Sequence, residues 1–155
     1  MKKLFMFFAM VIAMICSFTS CNTIDEDFEG VYAFWQPCTN WEAGMSDIKA
    51  FMKKQQGWEM NLEVNGKSIT YVHQATGMEV FYELKGDKLG HVSLSYINCP
   101  EELDHMKKDW AEKFHFEWDE FGTAEIPELD CNAMASVLTI NSTSYVKLEL
   151  NHEHK

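Results

Sequence analysis

The sequence predicts an α+β domain in which two helices pack on a mostly antiparallel sheet. Two segments carry apolar residues at the spacing of an amphipathic helix, and several others alternate apolar and polar residues as strands do. Turn residues separate the alternating segments, so consecutive strands can pair as antiparallel hairpins. A sheet of this kind buries one face and leaves the other face in water.

The first twenty residues predict a cleaved secretory signal. Lys2 and Lys3 supply positive charge ahead of an apolar run from Leu4 to Ile15, and a small polar segment follows. The apolar run is too short for a transmembrane helix, which needs about 20 apolar residues. The predicted signal therefore covers residues 1–20.

The segment Thr19-Ser20-Cys21 resembles the end of the lipobox of bacterial lipoproteins, with Phe18 at the position that Leu usually holds. The resemblance implies that Cys21 becomes the mature N-terminus and carries acyl chains that anchor the protein on the outer membrane. Two or three chains anchor a protein durably, because each buried methylene contributes about 0.8 kcal/mol. The alternative is an ordinary secreted protein that is cut near Ser20.

Residues 21–30 combine the modified cysteine with an acidic tether. Four of these ten residues are acidic, and such a segment stays solvated. The tether also resembles the surface-export signal of small, uncharacterised lipoproteins from gut Bacteroidota-type bacteria. The alternative is a plain tether that faces the periplasm, so both membrane faces stay open. Residues 31–155 then form a single globular α+β domain, a length that suits one core.

Two amphipathic helices are predicted. The first spans about Met45–Gln55, begins near Gly44 or Ser46 and ends before Gly57. The second spans about Pro100–His115, with proline in its first turn. The apolar stripes are Met45, Ile48, Phe51 and Met52 in the first helix, and Leu103, Met106, Trp110 and Phe114 in the second.

An antiparallel meander and a final hairpin supply most of the predicted strands. Asn65-Gly66 is a strong hairpin signal, because both positions of a type I′ turn need a positive φ. A further short strand is predicted over Phe116–Phe121. The meander strands are Met60–Val64, Ile69–His73, Met78–Leu84 and Leu89–Tyr96, and the hairpin joins Ala133–Ile140 to Tyr145–Leu150.

The order of helix and then strands occurs twice, which suggests two tandem α-β-meander units. Residues 76–84 and 142–150 are both a turn followed by a strand, and both close on Glu-Leu. This layout resembles the tandem-repeat sheet of the β-lactamase inhibitor protein, loosely over Met45–Leu150. The resemblance is architectural and implies no functional residue. Chance similarity between two amphipathic strands is the alternative.

The acidic composition excludes several classes of partner. The net charge is −11, there is no arginine, and loss of Lys2 and Lys3 with the signal leaves 11 basic residues against 24 acidic ones. Nucleic-acid binding is not expected, because it depends on Lys and Arg neutralising phosphates. Docking of the domain on anionic lipid is disfavoured for the same reason. A cationic or neutral partner fits, and so does acidity that serves solubility alone.

No cofactor and no metal site is predicted. The chain contains neither HExxH nor a pair of CxxC motifs. The C-terminal His152-Glu153-His154 is expected to bind metal only adventitiously, because a terminal segment is poorly preorganised. The remaining histidines are expected to be hydrogen-bonded or solvent-facing.

Three cysteines remain in the predicted domain: Cys38, Cys99 and Cys131. One disulfide is possible in the oxidising cell envelope, and the sequence does not choose among its three pairings. The alternative is three buried thiols that behave as small apolar side chains. Cys99 or Cys131 paired with a histidine is the best catalytic arrangement that the sequence offers.

The candidate ligand-binding residues are aromatic or lie on the predicted open sheet face. Trp35, Trp41 and Trp58 flank predicted loops, where exposed indoles anchor protein interfaces or stack on sugars. Core packing is the alternative for all three. Val72 and Phe81 are the apolar members of the predicted outward set, which also contains Thr70, Glu79, Glu83, His91, Ser93 and Ser95.

These observations predict a non-enzymatic, membrane-anchored envelope lipoprotein that binds a protein, peptide or glycan. The bilayer is its expected partner through the acyl chains on Cys21. One alternative is a small periplasmic hydrolase or redox enzyme that uses Cys and His. Another is a component of an envelope assembly.

Overall fold

The computed structural model describes residues 32–154, which form one seven-stranded antiparallel sheet and two helices. The predicted signal, Cys21 and the acidic tether lie outside the described residues. The fold is broadly α+β, as predicted, although strands dominate it. Helix α1 spans Met45–Met52 and helix α2 spans Leu103–Phe114.

The strands follow the predicted meander and hairpin closely, with ends that differ by one or two residues. Short 3-10 helices occur at Pro100–Glu102 and Pro127–Leu129. The strands are β1 Trp58–Val64, β2 Ser68–His73, β3 Glu79–Lys85, β4 Lys88–Ile97, β5 Thr123–Ile126, β6 Cys131–Ile140 and β7 Thr143–Asn151.

The order across the sheet is β1-β2-β3-β4-β7-β6-β5. The first four strands form one meander, the last three form another, and the two meanders join where β4 pairs with β7. In that pairing Leu94 lies opposite Leu148 and Val92 lies opposite Leu150. The last strand of each meander is therefore central, and the first strand of each lies at an edge.

Both helices contribute to the same hydrophobic core as the inward-facing strand residues. Ile48 and Met52 of α1 are buried, and the hydroxyl of Tyr82 on β3 lies 3.4 Å from the Met52 sulfur. Trp110 of α2 is fully buried. The two helices thus cover one face of the sheet, because the buried strand residues alternate with outward ones. The buried residues of α2 are Met106, Trp110 and Phe114.

Two sequence predictions about element boundaries were wrong. Helix α1 ends at Met52, three residues before the predicted end, and the chain continues through turns. The predicted strand over Phe116–Phe121 does not form. The Asp119 carboxylate instead accepts hydrogen bonds from the backbone N–H groups of Phe121 and Thr123, so the chain turns there and β5 begins only at Thr123.

The turn residues explain why the meander has its observed register. Asn65 and Gly66 have φ values of 49° and 65°, as the Asn-Gly signal predicted. Asn141 and Ser142 in the β6–β7 turn also have positive φ values. A bulge at Asn61 shifts the pairing of β1, so Met60 lies opposite Tyr71 whereas Leu62 lies opposite Thr70.

The alanine variant of Gly122 should be strongly destabilised, whereas that of Gly66 should be only mildly so. Both glycines have positive φ, but a Cβ on Gly122 would lie 2.7 Å from the Ala135 carbonyl oxygen, and a Cβ on Gly66 meets nothing within 4 Å. We expect Gly66→Ala to cost about 1 kcal/mol for backbone strain and Gly122→Ala about 2–4 kcal/mol for strain plus the clash. Urea unfolding of both variants measures the difference. Equal losses of unfolding free energy would show that the β6 backbone moves away at Ala135 at no cost and relieves the clash.

Candidate binding site on the open sheet face

The face of the sheet opposite the helices carries no helix among residues 32–154, and we call it the open face. Cross-strand register defines its members: Thr70, Phe81 and Ser93 lie side by side on β2, β3 and β4. Ser93 in turn pairs with Glu149, and Glu149 with Met134. Every residue of the predicted outward set lies on this face. They are Thr70, Val72, Glu79, Phe81, Glu83, His91, Ser93 and Ser95.

The centre of the open face is polar and closely packed. Thr70 and Ser93 are buried even though no helix covers them, because taller side chains surround these small ones. Lys147 forms an ion pair with Glu149 at 3.1 Å, and its charge is also felt by Glu79. Burial raises the pKa of the Glu79 carboxyl, and Lys147 partly offsets that rise.

An apolar patch lies on the open face toward the β1 edge, and it consists of Leu62, Val72 and Phe81. Leu62 lies opposite Thr70, and Thr70 lies opposite Phe81, so the two large side chains flank a small one. Val72 is two residues further along β2 on the same face. The Phe81 ring lies 6.1 Å from the His91 ring, and Nδ1 of His91 lies 2.9 Å from Oδ1 of Asn151.

Leu62 belongs to this patch because of the bulge, which sequence reasoning missed. Simple alternation places Met60, Leu62 and Val64 on one face. The extra residue Asn61 reverses the parity, so Met60 remains on the helix side while Leu62 and Val64 reach the open face. Asn within the strand was the available signal, because asparagine is depleted in regular strands.

Trp35 and Trp58 form a cluster on the helix side of the sheet, away from the patch. Their ring centroids are 4.4 Å apart, Trp35 also contacts Phe51, and Trp58 contacts His73. The Trp35 indole N–H lies 3.4 Å from Oε1 of Gln55. Both indoles are thus half-buried against neighbouring rings, which reduces the aromatic surface open to a sugar.

For Trp41 the structure agrees with the core-packing alternative. Trp41 is buried, its ring stacks on His152 at 5.2 Å with a 6° angle between planes, and its indole N–H donates to the Leu129 carbonyl oxygen. His152 also donates from Nδ1 to the Asp130 carbonyl oxygen at 2.6 Å. The C-terminal residues thereby hold the segment before α1 in place.

A shallow cleft of about 720 Å³ surrounds this stack. Within it, Lys88 pairs with Glu42, and the pKa of that carboxyl is lowered, first by the hydrogen bond and then by the lysine charge. The Lys85 ammonium donates to the His152 carbonyl oxygen at 3.2 Å. Both lysines of the cleft therefore have hydrogen-bond partners within the domain. The lining residues are Glu42, Lys85, Lys88, Asp130, His152, Glu153 and His154.

The five predicted ligand-binding residues thus occupy three places. Val72 and Phe81 lie together on the open face, and Trp35 and Trp58 lie together on the helix side of the sheet. Trp41 is buried where it stacks on His152. Both pairs are partly exposed, but only Val72 and Phe81 lie on the face that no helix of residues 32–154 covers.

The three cysteines of the described region are separate, buried thiols without disulfides. Burial raises the pKa of the Cys99 thiol to about 11 and that of Cys131 to about 12, and it raises the pKa of Cys38 as well. A thiolate nucleophile is therefore disfavoured at all three positions near neutral pH. Among residues 32–154 no group of three or more His, Cys, Asp and Glu side chains is arranged to hold a metal ion.

Within residues 32–154, neither helix has the length and apolar character that crossing a membrane requires. Comparison of the chain with protein-family models, curated proteins and solved structures finds no match.

The native thiols should be inert toward an aromatic disulfide reagent at about pH 8, where an ordinary cysteine is partly ionised. Each raised pKa lies above this pH, so the thiols of Cys38, Cys99 and Cys131 stay protonated as well as buried. Absorbance of the released reagent measures the reaction, and unfolding in urea should expose all three thiols. Rapid native reaction of one thiol would identify a reactive cysteine and favour the enzyme alternative.

Proposed function

We propose that the chain is a lipid-anchored bacterial envelope protein whose domain binds a protein or peptide on its open face. The observation that carries the proposal is the combination of an apolar patch and a charged polar centre on one uncovered sheet face. Large side chains such as Phe81 act as anchors in interfaces, and surrounding polar groups set orientation. If the partner is another envelope protein, this chain is a component of an envelope assembly.

The charge of the open face favours a basic or neutral partner. Glu59, Glu79, Glu83 and Glu149 lie on it, whereas Lys147 is the lysine at its centre. This local excess of carboxylates matches the acidic character of the whole chain. A partner with lysine or arginine side chains gains attraction over this surface, and the association should weaken as salt screens it.

A protein or peptide is favoured over a glycan because of the indoles. Sugar stacking needs an exposed aromatic face, yet Trp35 and Trp58 pack against each other and Trp41 stacks on His152. Phe81 is the remaining aromatic candidate, and it lies beside aliphatic Leu62 and Val72 rather than in a groove. Such a patch suits apolar side chains of a polypeptide.

The sheet order also supports the proposed duplication. One unit comprises α1 followed by β1–β4, and the other comprises α2 followed by β5–β7. The units meet at the last strand of each, β4 and β7, which run antiparallel. Two related meanders joined about a local two-fold axis would produce this order, with four strands in the first unit and three in the second.

Replacing Phe81 by a photo-crosslinking phenylalanine analogue should yield a discrete cross-linked product in living cells. The same analogue at Phe121, an exposed phenylalanine in the turn before β5, should yield none, because it lies off the open face. The Phe81→Ala, Val72→Ser double variant should then bind the identified partner at least about tenfold more weakly, a loss of about 1.4 kcal/mol. Binding left unchanged in a double variant with a normal unfolding curve would rule out this face.

The Cys21→Ala variant should move from the membrane fraction to the soluble fraction in molecules that have lost the signal, identified by their smaller size on the blot, because it loses the residue that would carry the acyl chains. Cys16→Ala is the matched control, since Cys16 lies inside the predicted signal and should leave with it. Fractionation followed by blotting measures both variants. Membrane attachment that survives Cys21→Ala would contradict the anchor.

A further inference from the structure

The β6–β7 hairpin ends in an exposed apolar tip, which we define as residues 137–145. Val137, Leu138 and Ile140 are 41%, 43% and 50% exposed. Val137 lies opposite Val146 on the helix side of the sheet, whereas Leu138 lies opposite Tyr145 on the other side. Apolar side chains therefore emerge from both faces of the hairpin, and a partner that covers one face would leave the other face wet.

The tip is also free of charge in a highly charged chain. No Asp, Glu, Lys, Arg or His occurs between Asn132 and Val146, although charged residues make up 24% of the sequence. Strand β5 pairs with β6 only as far as Thr123 and Met134, and so it leaves the tip bare. Exposed strand ends usually carry charges that prevent unwanted contacts, and this one carries none.

The N-terminal part of the domain lies at the same end of the sheet as the tip. The Tyr96 hydroxyl donates to the Ala33 carbonyl oxygen at 3.3 Å, and the Tyr32 and Tyr96 rings are 5.1 Å apart. Tyr96 lies opposite Val146 across the β4–β7 pairing, and Val146 lies opposite Val137. Tyr32, the first residue that the structure describes, thus lies at the same end of the sheet as the tip.

The segment between Cys21 and the first described residue is short, which limits how far the domain can lie from the anchor. Ten residues separate Cys21 from Tyr32. Fully extended, this segment spans at most roughly 35–40 Å. An anchor at Cys21 therefore keeps this end of the domain within roughly 40 Å of the membrane surface.

We propose that the tip docks in the headgroup region of the membrane that holds the Cys21 acyl chains, with zwitterionic lipid as its ligand. This inference rests on the proposed lipid anchor. A membrane interface surrounds an inserted hairpin, and so it can cover apolar side chains on both faces. Glu101 and Glu102 follow β4 beside the start of β7, and they disfavour anionic lipid at this end.

The test uses the full lipidated chain in vesicles of phosphatidylcholine and phosphatidylethanolamine that contain a nitroxide-labelled lipid. Ile140→Cys carries an environment-sensitive dye at the tip. Met60→Cys is the matched control, because Met60 is similarly exposed, at 57% against 50% for Ile140, and lies on edge strand β1, four strands away from the β6–β7 hairpin. Labelling is selective, since the three cysteines in the described region are buried.

The dye at position 140 should shift to the blue and be quenched several-fold more strongly than the dye at position 60. Adding Val137→Ser and Leu138→Ser to the labelled tip variant should reduce the quenching. Adding Leu62→Ser and Val64→Ser, an equal loss of exposed apolar side chains on β1, should leave it unchanged.

Flotation of the vesicles separates failure of this inference from failure of the anchor. Protein that floats with equal, weak quenching at both positions overturns the docked tip while the anchor stands. Protein that does not float overturns both. Self-quenching between tip dyes in detergent, without vesicles, would show that a second copy covers the tip instead.

Discussion

The pairing of β4 with β7 is the constraint on which the rest of the structure depends. It joins two meanders that are otherwise separate, and it places Val92, Leu94 and Tyr96 beside Leu150, Leu148 and Val146. All six side chains are essentially inaccessible to solvent. Because alternation fixes which face each residue occupies, this register decides at once where the core and the open face lie. A slip by one residue would turn the apolar side chains of β7 toward water.

The same pairing determines how the ends of the molecule are arranged. It brings the last residues of β4 beside the start of β7, so that Tyr96 can hold Ala33 next to the β6–β7 hairpin. At the other end of these strands, His91 lies opposite Asn151, and the C-terminal stack of Trp41 and His152 follows. If the tip rests on a membrane, the strands stand upright on it. The open face is then presented sideways and stays accessible along its length.

Much of this fold could be predicted because its signals are local. Strand alternation placed Val72 and Phe81 on one face, and the Asn65-Gly66 turn set the first hairpin. The features that the sequence did not predict depend on single residues or on contacts between distant parts of the chain. The bulge at Asn61 reversed the parity of β1, and the Asp119 carboxylate made a turn where a strand was predicted. The stacking of Trp41 on His152 joins residues far apart in the chain, which no local pattern encodes.

The candidate tryptophans pack against other rings whereas Phe81 stays on the open face, and this difference has a physical cause. Burial of a large indole contributes much favourable free energy, and each of the three candidate tryptophans packs against a neighbouring ring. Phe81 lies on the side of β3 that the helices do not cover, and its ring is 6.1 Å from that of His91. Its exposure is therefore imposed by its position in β3 rather than by a loop. The sheet holds it beside Thr70 and the acidic centre, so a partner bound as proposed would meet an anchor and a charge pattern in fixed relation, with little ordering of this surface to oppose binding.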